Sequence, residues 1–164
     1  PGPVVGHGAV SAFSELFEYN RWANSLVLDA MAELPADARS APMPELGGPA
    51  LGLLEHLAQV QANFLGIMTG AGRPPREDGR NFELIAALVR STDDGFLAAL
   101  PALETRLQDE FELPWFGRSF TVEQGLTQVA THSVQHRAGI SAGIARAGLK
   151  PADLDYIIWC AEQR

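Results

Sequence analysis

The stretch Ala130-Thr131-His132-Ser133-Val134-Gln135-His136-Arg137 places two histidines four residues apart. In an α-helix, positions i and i+4 lie one above the other on the same face. His132 and His136 share the spacing of an amphipathic helix with three apolar neighbours, Val129, Ile140 and Ile144. Both imidazoles are therefore predicted to face the core, where two convergent rings can bind a transition metal.

A third histidine lies on the apolar stripe of another predicted helix. His56 falls in phase with Leu53, Leu57, Val60, Phe64 and Ile67. For a single inward histidine, core packing is the commoner explanation. Three of the chain's four histidines on the core stripes of two helices instead favour a metal site at His56, His132 and His136. Three neutral imidazoles with one open position resemble a catalytic zinc site, although imidazole also suits nickel, iron and copper.

Four long amphipathic segments predict an all-α fold, an up-down four-helix bundle. The predicted helices are 10–34, 49–68, 80–100 and one that runs from Val122 to near Gly148. The long crossover before the last of these carries a hairpin-like segment, 107–120, and a short C-terminal helix follows at 154–162 with Asp153 as its cap. Residues 10–164 are expected to form a single domain. Residues 1–9, which contain His7, are expected to be a disordered or artificial leader.

Composition and charge exclude several classes of partner. The chain has 164 residues, a formal net charge of -8 and a pI of about 4.9. Nucleic acid and anionic membrane surfaces would repel such a chain, and no apolar run approaches the roughly 18 residues of a spanning helix. Cys160 is the only cysteine, so no internal disulfide is possible and a cytoplasmic location is expected.

Three polar residues are candidates for binding substrate. Asn20 and Asn24 interrupt the apolar stripe of the first helix, where they either orient something inside the bundle or lie at the stripe's edge and reach water. Arg137 either holds a substrate carboxylate or pairs with Asp153 or Asp155.

Several segments together resemble the DinB-like family, part of a superfamily with mycothiol-dependent maleylpyruvate isomerases and bacillithiol transferases. Residues 18–24 (EYNRWAN) are similar to the family's Y-N-x-W-A-N opening, and 53–57 (LLEHL) to its second-helix histidine. Residues 132–140 (HSVQHRAGI) are similar to its H-x-x-x-H-R-G-Q-[IV] pattern, and 149–156 (LKPADLDY) to its tail. Ala138-Gly139 stands where the family commonly has Gly-Gln, which puts any role for that glutamine in doubt.

The resemblance implies a metal-binding four-helix bundle that is often a dimer. It implies that His56, His132 and His136 hold a divalent metal, usually zinc or nickel. A homodimer that acts on a small-molecule substrate is therefore expected.

Three functions compete at this point. The first is a metal-dependent transferase or isomerase that uses a low-molecular-weight thiol (mycothiol, bacillithiol or glutathione) against small electrophiles, and a hydrolase with the same three ligands stays open beside it. The second is a non-catalytic metal-binding protein of the stress response. The third is a bundle without metal, whose histidines bond to Asn20, Asn24 or the backbone. An open metal position within a pocket would favour the enzyme.

Overall fold

A computed structural model describes residues 12–77, 79 and 81–163, so the predicted leader at residues 1–9 lies outside the described residues. The helices and strands, in chain order, are α1 (Ala12–Ala32), α2 (Ala36–Arg39), α3 (Ala50–Thr69), α4 (Phe82–Leu103), β1 (Glu110–Leu113), β2 (Arg118–Thr121), α5 (Val122–Arg146) and α6 (Tyr156–Glu162). None of the helices in these ranges is long and apolar enough to cross a membrane.

The predicted all-α class and four-helix bundle are confirmed: α1, α3, α4 and α5 form the bundle, and α6 packs against α1. The predicted hairpin is also present, since β1 and β2 pair antiparallel with Glu110 opposite Thr121 and Leu113 opposite Arg118. Its second strand leads directly into α5 through a capping box. The Thr121 side chain accepts from the Gln124 N–H, and the Gln124 side chain accepts from the Thr121 N–H.

Several helix ends differ from the sequence prediction by one to three residues, and two of these differences have a clear local cause. The third long helix continues past Pro101 to Leu103, because a proline near the end of a helix removes one hydrogen bond without preventing a last turn. The C-terminal helix begins at Tyr156 instead of residue 154. Asp153 accepts from the Asp155 N–H in the preceding turn and does not cap the helix.

The long helices do not alternate strictly in direction. α1 is antiparallel to α4, because Ser14 bonds to Glu104 while Asn20 bonds to Asp93. α3 is parallel to α4, because Gln61 meets Asp93 at one level and the Met68 carbonyl meets Arg106 further along. α5 is antiparallel to α3, with Gly143 against Ala50 and Gly125 against Met68. The order is therefore up-down-down-up, and the alternation is interrupted between α3 and α4.

A parallel α3 and α4 require the connection between them to travel back along the bundle. Residues 70–77, here called the return segment, run along α3 toward its N-terminus. The Gly72 N–H donates to the Gly66 carbonyl at 2.9 Å, and Arg76 borders a small cavity together with His56 and Gln59. The topology thus brings two arginines of this segment, Arg73 and Arg76, alongside α3.

A small apolar cluster joins Tyr19, Ala23 and Trp159, and the rest of the apolar core forms two larger clusters with a polar layer between them. One cluster packs Val27, Leu28 and Met31 against Leu54, Leu57, Ile85, Val89, Ile140 and Ile144. The other packs Phe17 against Phe64, Phe96, Leu100, Leu126 and Val129. The polar layer consists of six buried residues, Asn20, Asn24, Gln61, Asp93, Ser133 and Arg137.

Gly66 is predicted to be essential to the path of the return segment. A Cβ at this position would lie 2.0 Å from the Gly72 carbonyl oxygen, whereas a Cβ at Gly52 on the same helix would meet only Pro49 at 3.4 Å. We expect Gly66→Ala to destabilise the protein by about 1–3 kcal/mol through overpacking. Gly52→Ala should be neutral or stabilise by up to about 1 kcal/mol through helix propensity. Urea unfolding of both variants measures this, and equal stabilities would contradict the prediction.

Candidate metal centre and its cleft

Three histidines from two helices meet at one point of the bundle. Nε2 of His132 lies 3.2 Å from Nε2 of His56 and 3.0 Å from Nε2 of His136. The nearest ligand atoms of all three rings lie within 4.8 Å of one another. The i, i+4 pair on α5 and His56 on the antiparallel α3 therefore converge, as the sequence predicts.

The arrangement fits the coordination geometry of a metal ion. Two nitrogens on a tetrahedral zinc, each about 2.0–2.1 Å from the ion, are about 3.3 Å apart. The two separations given for the Nε2 atoms are close to this value. Without an ion, two of these ring nitrogens would face each other lone pair to lone pair unless one of them carried a proton. The donor set therefore fits a divalent metal that accepts imidazole.

The three rings are less buried than the sequence predicts. His132 and His136 are half-buried and His56 is exposed, rather than all three lying inside the core. The reason is that the helical period places His56 on the side of α3 that faces α5, and His132 and His136 on the side of α5 that faces α3, but no further helix among the described residues covers that seam. An accessible position beside the rings is what a site for an exchangeable ligand requires.

Burial and mutual proximity keep two of the imidazoles neutral, which is their ligating form. Burial, with the neighbouring His136 and His56, lowers the pKa of His132 to about 4. Burial, followed by the proximity of His56, also lowers the pKa of His136. Nδ1 of His132 is buried and has no hydrogen-bond partner among the described residues, so no hydrogen bond at this nitrogen fixes the ring.

A cleft of about 710 Å³ opens beside the histidines. His56 and His132 line it, together with polar side chains of the same two helices, Gln59 and Asn63 on α3 and Gln128 on α5. Its size falls within the range of small-molecule sites, about 300–1,000 Å³. The candidate metal centre is therefore accessible from a cavity large enough for a small substrate.

The other walls of the cleft come from the connections between helices. The hairpin supplies Trp115, Phe116 and Phe120, and the return segment supplies Arg73 and Arg76. No pattern in the sequence assigns a function to these residues. The exposed aromatic pair at the turn of a hairpin was the available signal, since large apolar side chains at such a position lack a core to enter.

The polar layer is built around a buried acid and a buried base. Arg137 Nη1 donates to Oδ1 of Asn20 at 2.6 Å and to Oδ1 of Asn24 at 2.8 Å. The amide nitrogens of the same asparagines donate to Asp93, at 3.3 Å from Asn20 and 3.0 Å from Asn24. Gln61 donates to the same carboxylate at 3.2 Å. Each asparagine thus connects the guanidinium to the carboxylate through its amide.

Burial and polar contacts act in opposite directions on this pair. Burial raises the pKa of Asp93 to about 6, although the hydrogen bonds from Asn24 and Gln61 and the charge of Arg137 lower it. Burial lowers the pKa of Arg137, and Tyr19 and Asp93 oppose this shift. The Tyr19 ring also lies under the guanidinium, 5.6 Å from ring centroid to Cζ. Both groups are charged at neutral pH and compensate one another.

The three residues singled out as substrate ligands lie in this layer. Asn20 and Asn24 are 1% and 3% exposed, so the buried interpretation holds and the water-exposed one does not. Arg137, 2% exposed, donates to the asparagines and not to Asp153 or Asp155. None of the three lines the 710 Å³ cleft. Asp93 was missed because two adjacent acidic residues, Asp93 and Asp94, resemble a solvated helix surface. Gln61 was missed as well.

We predict that removing the charge of Asp93 lowers the free energy of unfolding far more than removing the charge of Asp94 does. Asp93→Asn leaves Arg137 buried without a counter-ion, which costs about 3–5 kcal/mol. Asp94 is exposed and makes one surface ion pair with Arg21, so Asp94→Asn should change stability by less than about 1 kcal/mol. Urea unfolding at neutral pH measures both. Asp93→Asn/Arg137→Met should recover stability relative to Asp93→Asn, and no recovery would contradict the charge argument.

The metal-free protein should lose stability in acid through His132. Its pKa is about 4 in the fold against an ordinary 6.5, so between these values the unfolded chain binds more protons. Proton binding by the unfolded chain therefore lowers the free energy of unfolding progressively as the pH falls from 6.5 toward 4. We expect the difference in unfolding free energy between wild type and His132→Ala to shift against wild type as the pH falls. Asp93 has the opposite linkage but is present in both proteins and cancels. A pH-independent difference would refute the assignment.

Comparison with known proteins agrees with the fold. A search of curated protein sequences finds no match. A solved crystal structure, a DinB-like protein from Bacillus cereus ATCC 10987, has a similar fold with a TM-score of 0.70 and 19% sequence identity, over 86% of this chain and 94% of that one. The model of the DinB family matches residues 9–163. The chain belongs to the DinB family.

Proposed function

We propose that this protein binds one divalent metal ion through His56, His132 and His136 and acts as a metal-dependent transferase or isomerase. Its cosubstrate would be a low-molecular-weight thiol, and its substrate a small electrophile. The observation that carries the proposal is the convergence of three Nε2 atoms at a cleft of about 710 Å³. A purely structural ion would instead be enclosed by four protein ligands.

Zinc and nickel are the metals that we propose. Both accept imidazole nitrogen, and the resemblance to the family supports them. A bound divalent ion lowers the pKa of a thiol or a water molecule at its remaining position. Mycothiol, bacillithiol and glutathione are all candidates for the thiol.

The residues of the chain perform the remaining tasks. The backbone of α3 and α5 fixes the direction of the three rings, so their orientation costs little when a ligand arrives. The hairpin gives the cleft an apolar side, which would reduce the contact with water of reactants bound beside His56 and His132. Asn63 and Gln128 present amide groups at the same cleft and can hydrogen-bond a polar part of the substrate.

The metal content of the untagged protein tests the first half of the proposal. We expect about one zinc or nickel ion per chain by elemental analysis, and its loss in His132→Ala and His136→Ala, because two imidazoles no longer complete the site. His56→Ala should weaken binding in the same way. Gln128→Ala, which changes the cleft but no proposed ligand, is the matched control. Absence of metal, and no uptake from micromolar zinc or nickel, would reject the site.

The second half requires an activity readout. Loss of free thiol is followed with each of the three thiols and a panel of electrophiles, for the metal-loaded protein and for His132→Ala. Turnover that depends on metal and thiol together supports the transferase or isomerase. Turnover without thiol would replace it with the hydrolase, and metal binding without turnover would leave the non-catalytic protein. The expected homodimer and cytoplasmic location stay predictions.

A further inference from the structure

The cleft beside the histidines has one strongly aromatic side. Trp115 packs edge to face against Phe64, with ring centroids 6.4 Å apart, and continues through Phe116 to Phe120 at centroid distances of 6.4 and 5.8 Å. Trp115 and Phe116 are 44% and 64% exposed. Such side chains lose favourable burial when they face water, and a flat apolar ring of a ligand would restore it.

The same cleft is positive within a strongly acidic protein. The chain has a net charge of -8, yet the charged residues that line the cleft, among the described residues, are Arg73 and Arg76, and no carboxylate lines it. Arg73 lies over the Trp115 ring, with Cζ 4.7 Å from its centroid. Glu55 borders only the smaller adjoining cavity, of about 90 Å³. This separation of charge favours an anionic ligand over a neutral or cationic one.

The two arginines are placed differently along the cleft. Arg73 accompanies the aromatic wall, whereas Arg76 also borders the small cavity beside His56 and Gln59. A ligand that stacks on the aromatic wall therefore has a guanidinium beside its ring and a second one on the way to the histidines. Guanidinium groups bind carboxylates through paired, charge-assisted hydrogen bonds.

We propose that the cleft binds a planar aromatic carboxylate, with its ring against Trp115 and Phe64 and its carboxylate at Arg73 and Arg76. The inference rests on the proposed function where it takes this ligand as the class of compound that contains the electrophile. The binding itself requires only residues of the cleft and no metal. Aromatic contact and charge have to act together, because either feature alone would accept a far broader set of ligands.

Calorimetric titration of the untagged protein at neutral pH, metal-free and zinc-loaded, tests the inference. The probes are naphthoate, the neutral naphthalenemethanol and the non-aromatic cyclohexanecarboxylate. We expect naphthoate to bind at least about tenfold more tightly than either of the others, as the loss of one charge-assisted hydrogen bond or one aromatic contact implies. Metal-free and zinc-loaded protein should both bind it.

Variants assign the binding to the cleft. Arg73→Gln/Arg76→Gln should remove the preference of naphthoate over naphthalenemethanol, and Trp115→Ala should weaken both aromatic probes about tenfold. All three positions are exposed, so these variants should fold. Arg90→Gln, at an exposed arginine of α4 that does not line the cleft, should bind like wild type.

Three outcomes would overturn the inference: equal affinity for the acid and the alcohol, affinity unaffected by the arginine and tryptophan variants, or binding of naphthoate only when zinc is present. The last would place the carboxylate on the metal. Elemental analysis of the same samples keeps the two proposals apart. A protein that takes up no zinc or nickel and still binds naphthoate would reject the proposed function and retain this site.

Discussion

The buried pair of Asp93 and Arg137 is the constraint on which the rest of the structure depends. An isolated charge in a core costs several kcal/mol, so neither residue is tolerable without the other. Their compensation passes through Asn20 and Asn24, while Gln61 completes the carboxylate. These five residues come from all four long helices. One polar layer therefore fixes the relative rotation and height of every helix in the bundle.

This constraint reaches the candidate metal centre through α5. Arg137 directly follows His136, and on a helix adjacent residues point about 100° apart. When the guanidinium turns inward to its asparagines, the two histidines are directed to the seam with α3. The polar layer thus determines the orientation of His132 and His136. In this view, residues that were candidates for contact with substrate support the site from behind.

The three-histidine cluster of the candidate metal centre is easier to predict from the sequence than its surroundings are. His132 and His136 could be paired from their spacing, and His56 from its phase on a second helix, because the helical period determines which residues share a face. The same period cannot tell whether a third element covers that face, which is why His56 proved to be exposed.

Arg137 on α5 meets Asn20 and Asn24 on α1 because these two helices are neighbours, and the choice of neighbours is a tertiary property. The parallel direction of α3 and α4 is another tertiary property. Likewise, Trp115 and Arg73 could be located on connections from turn residues alone. That the two side chains meet over one cleft follows only from the path of the return segment.

The parallel arrangement of α3 and α4 has a consequence for how this architecture can diversify. The proposed metal ligands reside on rigid helices, whereas the walls that would select a reactant include exposed side chains of two connections, such as Trp115 and Arg73, which the packing of the bundle does not fix. Mutations can accumulate in the hairpin and return segment while the histidines stay in place. Reactivity and selectivity therefore depend on separate stretches of the chain. Proteins that share this scaffold can change their selectivity through the connections and keep their reactivity through the helices.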